Sequence, residues 1–307
     1  MIKLINVTKI YAGQKEPAVR ELNLTVEEGE SCVLVGPDGC GKSTTLRMIN
    51  RLIEPSSGTI LIDGKDIRET DPDQLRMGIG YVIQQIGLLP HRTVAENIAI
   101  VPRLYGWPKD KIKERTDELL ELVGLDPETT RSKYPAQLSG GQMQRVGVAR
   151  AMAVDPPIML MDEPFGAVDP IARNHLQDEF LRLQSLMRKT ICFVTHDINE
   201  AIKMGDRIAI FNRGELVQHG SPHEILSNPV NEFVRDFIGY DRVVKKLSLC
   251  RVGAIARKDF GVIRESELPA AAEIMRKQQT EVSFLLDHLG APGGMLARKL
   301  IEKQGAA

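Results

Sequence analysis

Three absences narrow the field before any motif is considered. No apolar run in the 307-residue chain approaches the roughly eighteen residues that a membrane-crossing helix needs. Cysteine is scarce and scattered: Cys32, Cys40, Cys192 and Cys250 form no C-x-x-C pair, which argues against a zinc site or a disulfide framework and fits a reducing compartment. Each reads as a small buried side chain, and Cys40 differs only in lying inside a glycine-rich loop. Net charge is also nearly absent. Forty Lys and Arg against 41 Asp and Glu leave a formal −1, with no bulk field to attract nucleic acid. Internal repeats and low-complexity tracts are missing, and the opening MIKLINVTKIY alternates polar and apolar instead of forming a secretory core.

What is present reads as globular α/β protein. At 42% hydrophobic and 26% charged residues, the chain suits a large domain with an appendage. The first ninety or so residues read as strands and turns, with short strands over 4–10 and 19–26 and turns at EEGE and SSGT. The period then changes. Ile112, Leu119, Leu120 and Val123 lie at helical spacing between Pro108 and Gly124, and the helical pattern runs to about residue 153. IMLM (158–161) and ICFV (191–194) are short enough for buried strands. Past Gly239 the pattern weakens, and DRVVKKLSLCR reads as a linker into a final segment.

Three apolar runs end on polar residues. CVLV runs into Gly36, IMLM into Asp162, and ICFV into Thr195 and His196. Ligands of open parallel sheets bind beyond the carboxyl ends of the strands. If these strands are neighbours, their ends converge on one site.

Gly36, Pro37, Asp38, Gly39, Cys40, Gly41, Lys42, Ser43 and Thr44 match G-x-x-x-x-G-K-[ST] between a strand and a helix. Glycines let such a loop turn its N–H groups inward at phosphate oxygens, and the following helix adds its positive end. Lys42 then reaches the β- and γ-phosphates, and the Ser43 hydroxyl ligates Mg²⁺. Asp38 is awkward there. Two like unit charges at 4 Å cost roughly 4 kcal/mol at an effective dielectric of 20, so Asp38 is expected to point away or to pair with a cation. In IMLMDEP, Asp162 at a strand end suits the metal, directly or through water, and Glu163 suits an attacking water. His196, at the next strand end, faces the γ-phosphate if the strands converge.

LSGGQ at 138–142 is a second anion-binding pattern, with Ser139, Gly140, Gly141 and Gln142 opening a polar helix. Phosphate loop, LSGGQ, DEP and strand-terminal His, in this order, resemble the ATP-binding subunit of an ABC transporter over about residues 1–240. The resemblance implies an ATP-hydrolysing P-loop domain, with a mixed-sheet core over 1–239 and a helical subdomain near 91–155. It implies Tyr11 against adenine, and Gln84 (with Gln85 its rival) in the loop that reaches metal and membrane subunits. Asp169 in GAVD matches the family's S-A-L-D loop, whose first and third positions depart here. It further implies two such domains meeting head to tail, each ATP lying between one protomer's phosphate loop and the other's LSGGQ. A homodimer, transmembrane permease subunits and, indirectly, a solute-binding protein are then the expected partners, at the cytoplasmic face of the membrane.

GYVIQQIGLLPHRTVAENIAIVPRLYGWP, MINRLIEPSSGTILIDGKDI and DEPFGAVDPIAR resemble the ATPases of osmoprotectant importers for glycine betaine, choline or carnitine. An importer for amino acids or another small solute shares much of this pattern. A soluble ABC ATPase of translation or repair would bring two cassettes or a coiled-coil insertion, and neither is present. A nucleotide-gated binder without turnover conflicts with Glu163. In the tail, SELPAAAEIMRKQQTEVSFLLDHLGAPGGML resembles the start of a CBS motif: a helix, a buried strand and a Gly-rich turn, one incomplete copy at most. Arg242, Lys245, Lys246 and Arg251 make the preceding stretch basic, which is ordinarily a solvated face.

Overall fold

The computed structural model describes residues 1–83, 87–166, 168, 170–239, 245, 260–264, 271–277, 282–286 and 292–297. The chain divides into two compact units, Met1–Lys245 and Lys246–Ala307.

The first unit begins with β1 (Ile2–Lys9), β2 (Val19–Val26) and β3 (Ser31–Val35), then α1 (Lys42–Ile49), β4 (Ser57–Ile62), β5 (Lys65–Asp66), α2 (Pro72–Met77) and β6 (Ile79–Val82). A run of helices follows: α3 (Val94–Ile98), α4 (Ile100–Leu104), α5 (Lys109–Leu122), α6 (Pro127–Thr130) and α7 (Gly140–Ala151). The chain then returns to β7 (Ile158–Asp162), α8 (Pro170–Met187), β8 (Thr190–Thr195), α9 (Ile198–Met204), β9 (Arg207–Asn212), β10 (Glu215–Gly220), α10 (Pro222–Ser227) and α11 (Glu232–Ile238).

Two sheets form. An antiparallel one runs β2-β1-β4-β5, and a six-stranded one runs β10-β9-β3-β8-β7-β6. Within the larger sheet only the β9–β10 hairpin is antiparallel; β3, β6, β7, β8 and β9 are mutually parallel. Its centre explains the unbroken apolar runs. Val33, Val35, Met159, Met161, Ile191 and Phe193 enter one core cluster, while Cys32, Leu34, Ile158, Leu160, Cys192 and Val194 enter the other. A period of two with both faces covered leaves no polar position along these strands. Polar residues appear only at the strand ends, Ser31 and Thr190 where two begin, and Asp162 and Thr195 where two stop.

The helical run obeys its local signals. Pro108 is the N-cap of α5, and Ile112, Leu119 and Leu120 are its buried face. Gly124 follows with φ +68°, the left-handed position at which a helix ends. The helix α1 follows the phosphate loop as its motif requires, and one helix, α2, breaks the expectation of strands and turns before residue 90. It carries a readable start signal in DPDQ: Asp71 accepts from Asp73 N and Gln74 N, with Pro72 in the first turn. Among the described residues no helix is long and apolar enough to cross a membrane.

The second unit holds β11 (Phe260–Arg264), α12 (Ala271–Lys277), β12 (Val282–Leu286) and β13 (Pro292–Ala297), with the three strands forming one sheet in that order. β11 and β12 are parallel, while β12 and β13 are antiparallel. A helix followed by a strand fits the sequence reading, but PGGMLA is strand where a Gly-rich turn was expected. Gly294 pairs with Leu285, because a glycine keeps its ladder groups even though it weakens a strand. Of the basic positions Arg242, Lys245, Lys246 and Arg251 only Lys245 is described, its Nζ donating to Ile238 O at 2.6 Å. Arg242, Lys246, Arg251 and Cys250 lie outside the described residues.

Candidate functional site

The strand order puts β3, β8 and β7 side by side, and all three run the same way. Gly36, Thr195 with His196, and Asp162 with Glu163 therefore meet along one edge of the sheet. The convergence anticipated from three apolar runs is a consequence of parallel pairing.

The phosphate loop is wedged in place by its backbone. A Cβ on Gly36 would stand 2.2 Å from Phe211 O, and one on Gly41 2.4 Å from Ala18 O. Both glycines have positive φ, +154° and +104°, so a side chain is excluded twice over. Gly214 N donates to Cys40 O at 3.1 Å, which straps the loop to the turn between β9 and β10. That strap was not foreseen; its only trace in sequence is the NRGE turn signal. Gly41 is the N-cap of α1 and supplies no side-chain cap, so the first N–H groups of the helix stay open to an anion.

Lys42 is 5% exposed, and its Nζ donates to Gly36 O at 2.7 Å and Pro37 O at 2.8 Å. Cys40 Sγ at 3.7 Å is a weak third acceptor, which a phosphate oxygen would outcompete. Burial raises the Cys40 thiol, and the Lys42 charge opposes it. The thiol therefore stays protonated and unreactive. Asp38 is exposed at the loop's tip, and among the described residues no ion pair holds it.

Ser43 Oγ donates to Asp162 Oδ1 at 2.8 Å. Asp162 is 2% exposed, and burial lifts its carboxyl above the usual range while Ser43, Arg47 and Lys42 pull it back and Glu163 adds to the rise. Glu163 has φ +48°, a strained backbone for a non-glycine, held by Glu163 N donating to Val194 O at 3.0 Å. Its Oε1 lies 3.6 Å from His196 Nδ1, and the His196 side chain is 59% exposed. Tyr11 lies past β1 with its hydroxyl 3.3 Å from Thr44 Oγ1, at the same helix end, and Lys9 Nζ is 5.3 Å from its ring centre.

LSGGQ is built otherwise. Ser139 is an exposed N-cap whose Oγ accepts from Gln142 N at 3.3 Å, and Gln142 Oε1 accepts from Ser139 N at 3.0 Å. Gly140 and Gly141 open α7. Among the described residues no hydrogen bond or ion pair joins this cap to the phosphate loop. Gln84, Gln85 and Asp169 lie outside the described residues.

A parallel sheet ending in a wedged phosphate loop, a buried Asp and a neighbouring Glu defines a P-loop ATPase domain. The ABC transporter family model matches residues 19–166. The osmoprotectant import ATP-binding protein OsmV of Salmonella typhimurium is 50% identical over 304 residues, 97% of this chain and 80% of that protein. The glycine betaine/carnitine/choline transport ATP-binding protein OpuCA of Bacillus subtilis is 50% identical over 305 residues, 99% and 80% respectively. Among solved structures, the ATP-binding cassette MJ0796, in a dimeric post-hydrolysis state bound to ADP and Pi, superposes with a TM-score of 0.66 at 37% identity, covering 72% of this chain and 99% of that one. The chain belongs to the ABC transporter ATP-binding family, and it is an ATPase that binds ATP and works with a second such domain and membrane permease subunits.

Proposed function

We propose that this chain is the ATP-hydrolysing subunit of an importer for glycine betaine, choline, carnitine or a related quaternary amine, peripheral to the cytoplasmic face of the membrane through permease subunits. The observation that carries it is half-identity along nearly the whole chain to two importer ATPases of this solute class. The choice of solute rests on that likeness.

The roles in this reading are as follows. The phosphate loop, residues 36–44, cradles the phosphates with backbone N–H groups, and Lys42 adds its charge at the β- and γ-phosphates. Tyr11 packs against adenine. Mg²⁺ suits the donor set: Ser43 and Asp162 offer two hard oxygens at one spot, and among the described residues no group of three or more His, Cys, Asp or Glu could cage a metal. That is what a cation sharing its shell with water and phosphate requires. When bound it would neutralise developing negative charge, and the family resemblance implies Gln84 as a further ligand. Glu163 orients the attacking water and accepts its proton, and His196 beside it donates to the γ-phosphate oxygens. Ser139, Gly140, Gly141 and Gln142 of one protomer serve the γ-phosphate held by its partner, a second copy of this chain, and Asp169 keeps the role that the family resemblance implies for its loop. The core spans 1–239 with its helical subdomain near 91–155, and 240–307 is a separate extension with at most a partial CBS-like motif.

The test is ATPase activity of the assembled system, with its solute-binding protein, against betaine, choline, carnitine and amino acids. Stimulation by quaternary amines alone is expected. Stimulation only by an amino acid would keep the ATPase and overturn the solute.

A further inference from the structure

Beneath the histidine lies a buried polar cluster that the phosphate chemistry leaves unused. Glu200 on α9 is 8% exposed, its carboxylate accepts from Gln177 Nε2 at 2.8 Å, and the nearby Thr195 hydroxyl favours its charged form. Gln177, on α8, is 4% exposed; Thr195, the last residue of β8, is 2% exposed. Thr195 Oγ1 also accepts from Asp197 N at 3.1 Å. One hydroxyl thus braces the backbone on both sides of His196. Four residues before Gln177 on the same helix, Arg173 Nη2 donates to Val168 O at 3.0 Å, in the segment that leads from Glu163 into α8.

Helix capping does not explain the carboxylate. Asp197 already caps α9, accepting from Asn199 N at 2.8 Å. Burial raises the Glu200 carboxyl, and the hydrogen bonds from Thr195 and Gln177 oppose that rise. A buried acid among neutral donors costs stability, which its place in the first turn of α9 helps to offset. Meanwhile the exposed His196 ring has, among the described residues, only the Glu163 carboxylate at 3.6 Å to hold it. Its place is set by its backbone, and its backbone is set by this cluster.

We propose that Thr195, Gln177 and Glu200 are positioning residues for ATP hydrolysis, fixing His196 beside Glu163 and tying its place to the segment that enters α8. The inference rests on the role given to His196 above. Thr195 and Glu200 act on the ring through the backbone; Gln177 carries the restraint across to α8, where Arg173 extends it to Val168.

The experiment is steady-state ATPase of the full chain assembled with its membrane subunits. Thr195→Val removes the hydroxyl and keeps the shape; Gln177→Leu removes the donor. Each is expected to lower kcat about tenfold with KM for ATP within about twofold, and Thr195→Ser is expected to restore kcat. These two near-isosteric variants carry the test even where Glu200→Ala fails to fold. The decisive comparison repeats Thr195→Val on a His196→Ala background, where no further loss is expected. An equal loss on both backgrounds means the cluster is merely structural and overturns the inference while leaving His196 its role. Full turnover in His196→Ala overturns both.

Discussion

Two helices in this chain have glycine at their N-terminal ends, Gly41 before α1 and Gly140 opening α7, yet those ends are built on opposite plans. At α1 the N-cap is Gly41, with no side-chain cap, in a loop whose glycines press against the Phe211 and Ala18 carbonyls. At α7 the N-cap is Ser139 in a full capping box with Gln142. A Cβ at Gly141 would meet nothing nearer than Val168 Cγ1 at 3.6 Å, an ordinary contact. The first end is left open as a helix, with Lys42 buried beside it and Ser43 bonded to Asp162. The second is finished as a helix and holds only part of a site. Capping uses a lone pair of the Ser139 oxygen, so its proton stays free to donate outward. The difference teaches which end a nucleotide needs first.

The largest effect should come from the α1 end. Lys42→Ala is expected to weaken ATP binding by roughly a hundredfold and to lower turnover by about a thousandfold or more, read by equilibrium binding and ATPase assay. Ser139→Ala sharpens the contrast. Nucleotide affinity of the chain alone should stay within about twofold, while turnover of the assembled system falls on the order of a hundredfold. Urea unfolding of that variant should show a loss of about 1 kcal/mol from the missing cap. If Ser139→Ala costs as much binding as Lys42→Ala, the two ends are not different in kind.

Much of this was legible in the sequence, and the exceptions have reasons. The phosphate loop, the strand-end acids and His196 could be placed because apolar runs buried on both faces have nowhere to put a polar residue except at their ends. The position of α5 could be read from Pro108, Gly124 and a clean 3.6 period. The β9–β10 strap under Cys40 could not, because its bond comes from a backbone N–H and its wedge from a backbone carbonyl, neither of which depends on side-chain type. The Thr195–Glu200–Gln177 cluster was hidden for another reason: its three members come from three elements, and only β8 beside α8 and α9 brings them together. α2 was legible from DPDQ and was passed over in favour of strands.

A subtler prediction concerns the acid at the α1 end. Burial raises Asp162, so its ionised form costs stability above the unfolded-state carboxylate range, and that cost vanishes as pH falls below it. Asp162→Asn keeps an acceptor for Ser43 and removes the charge. Melting curves across pH should find the variant more stable than the parent at neutral pH, with the gain fading towards acid, and activity lost throughout. Asp38→Ser should matter least. An exposed carboxylate at the loop's tip is screened by water and salt, so ATP affinity should change by less than about threefold. Tightening by orders of magnitude would mean that Asp38 faces the phosphates.

The contrast between the two ends requires that each chain finish its partner's site, and one measurement bears on that directly. Glu163→Gln removes the group that accepts the water's proton while leaving both ends intact, so ATP should hold two chains together. The solution mass of this variant, determined by light scattering with and without ATP and Mg²⁺, should rise from the 34.1 kDa of one chain to twice that value only when ATP is present. A mass that stays at one chain under saturating ATP would contradict the shared site.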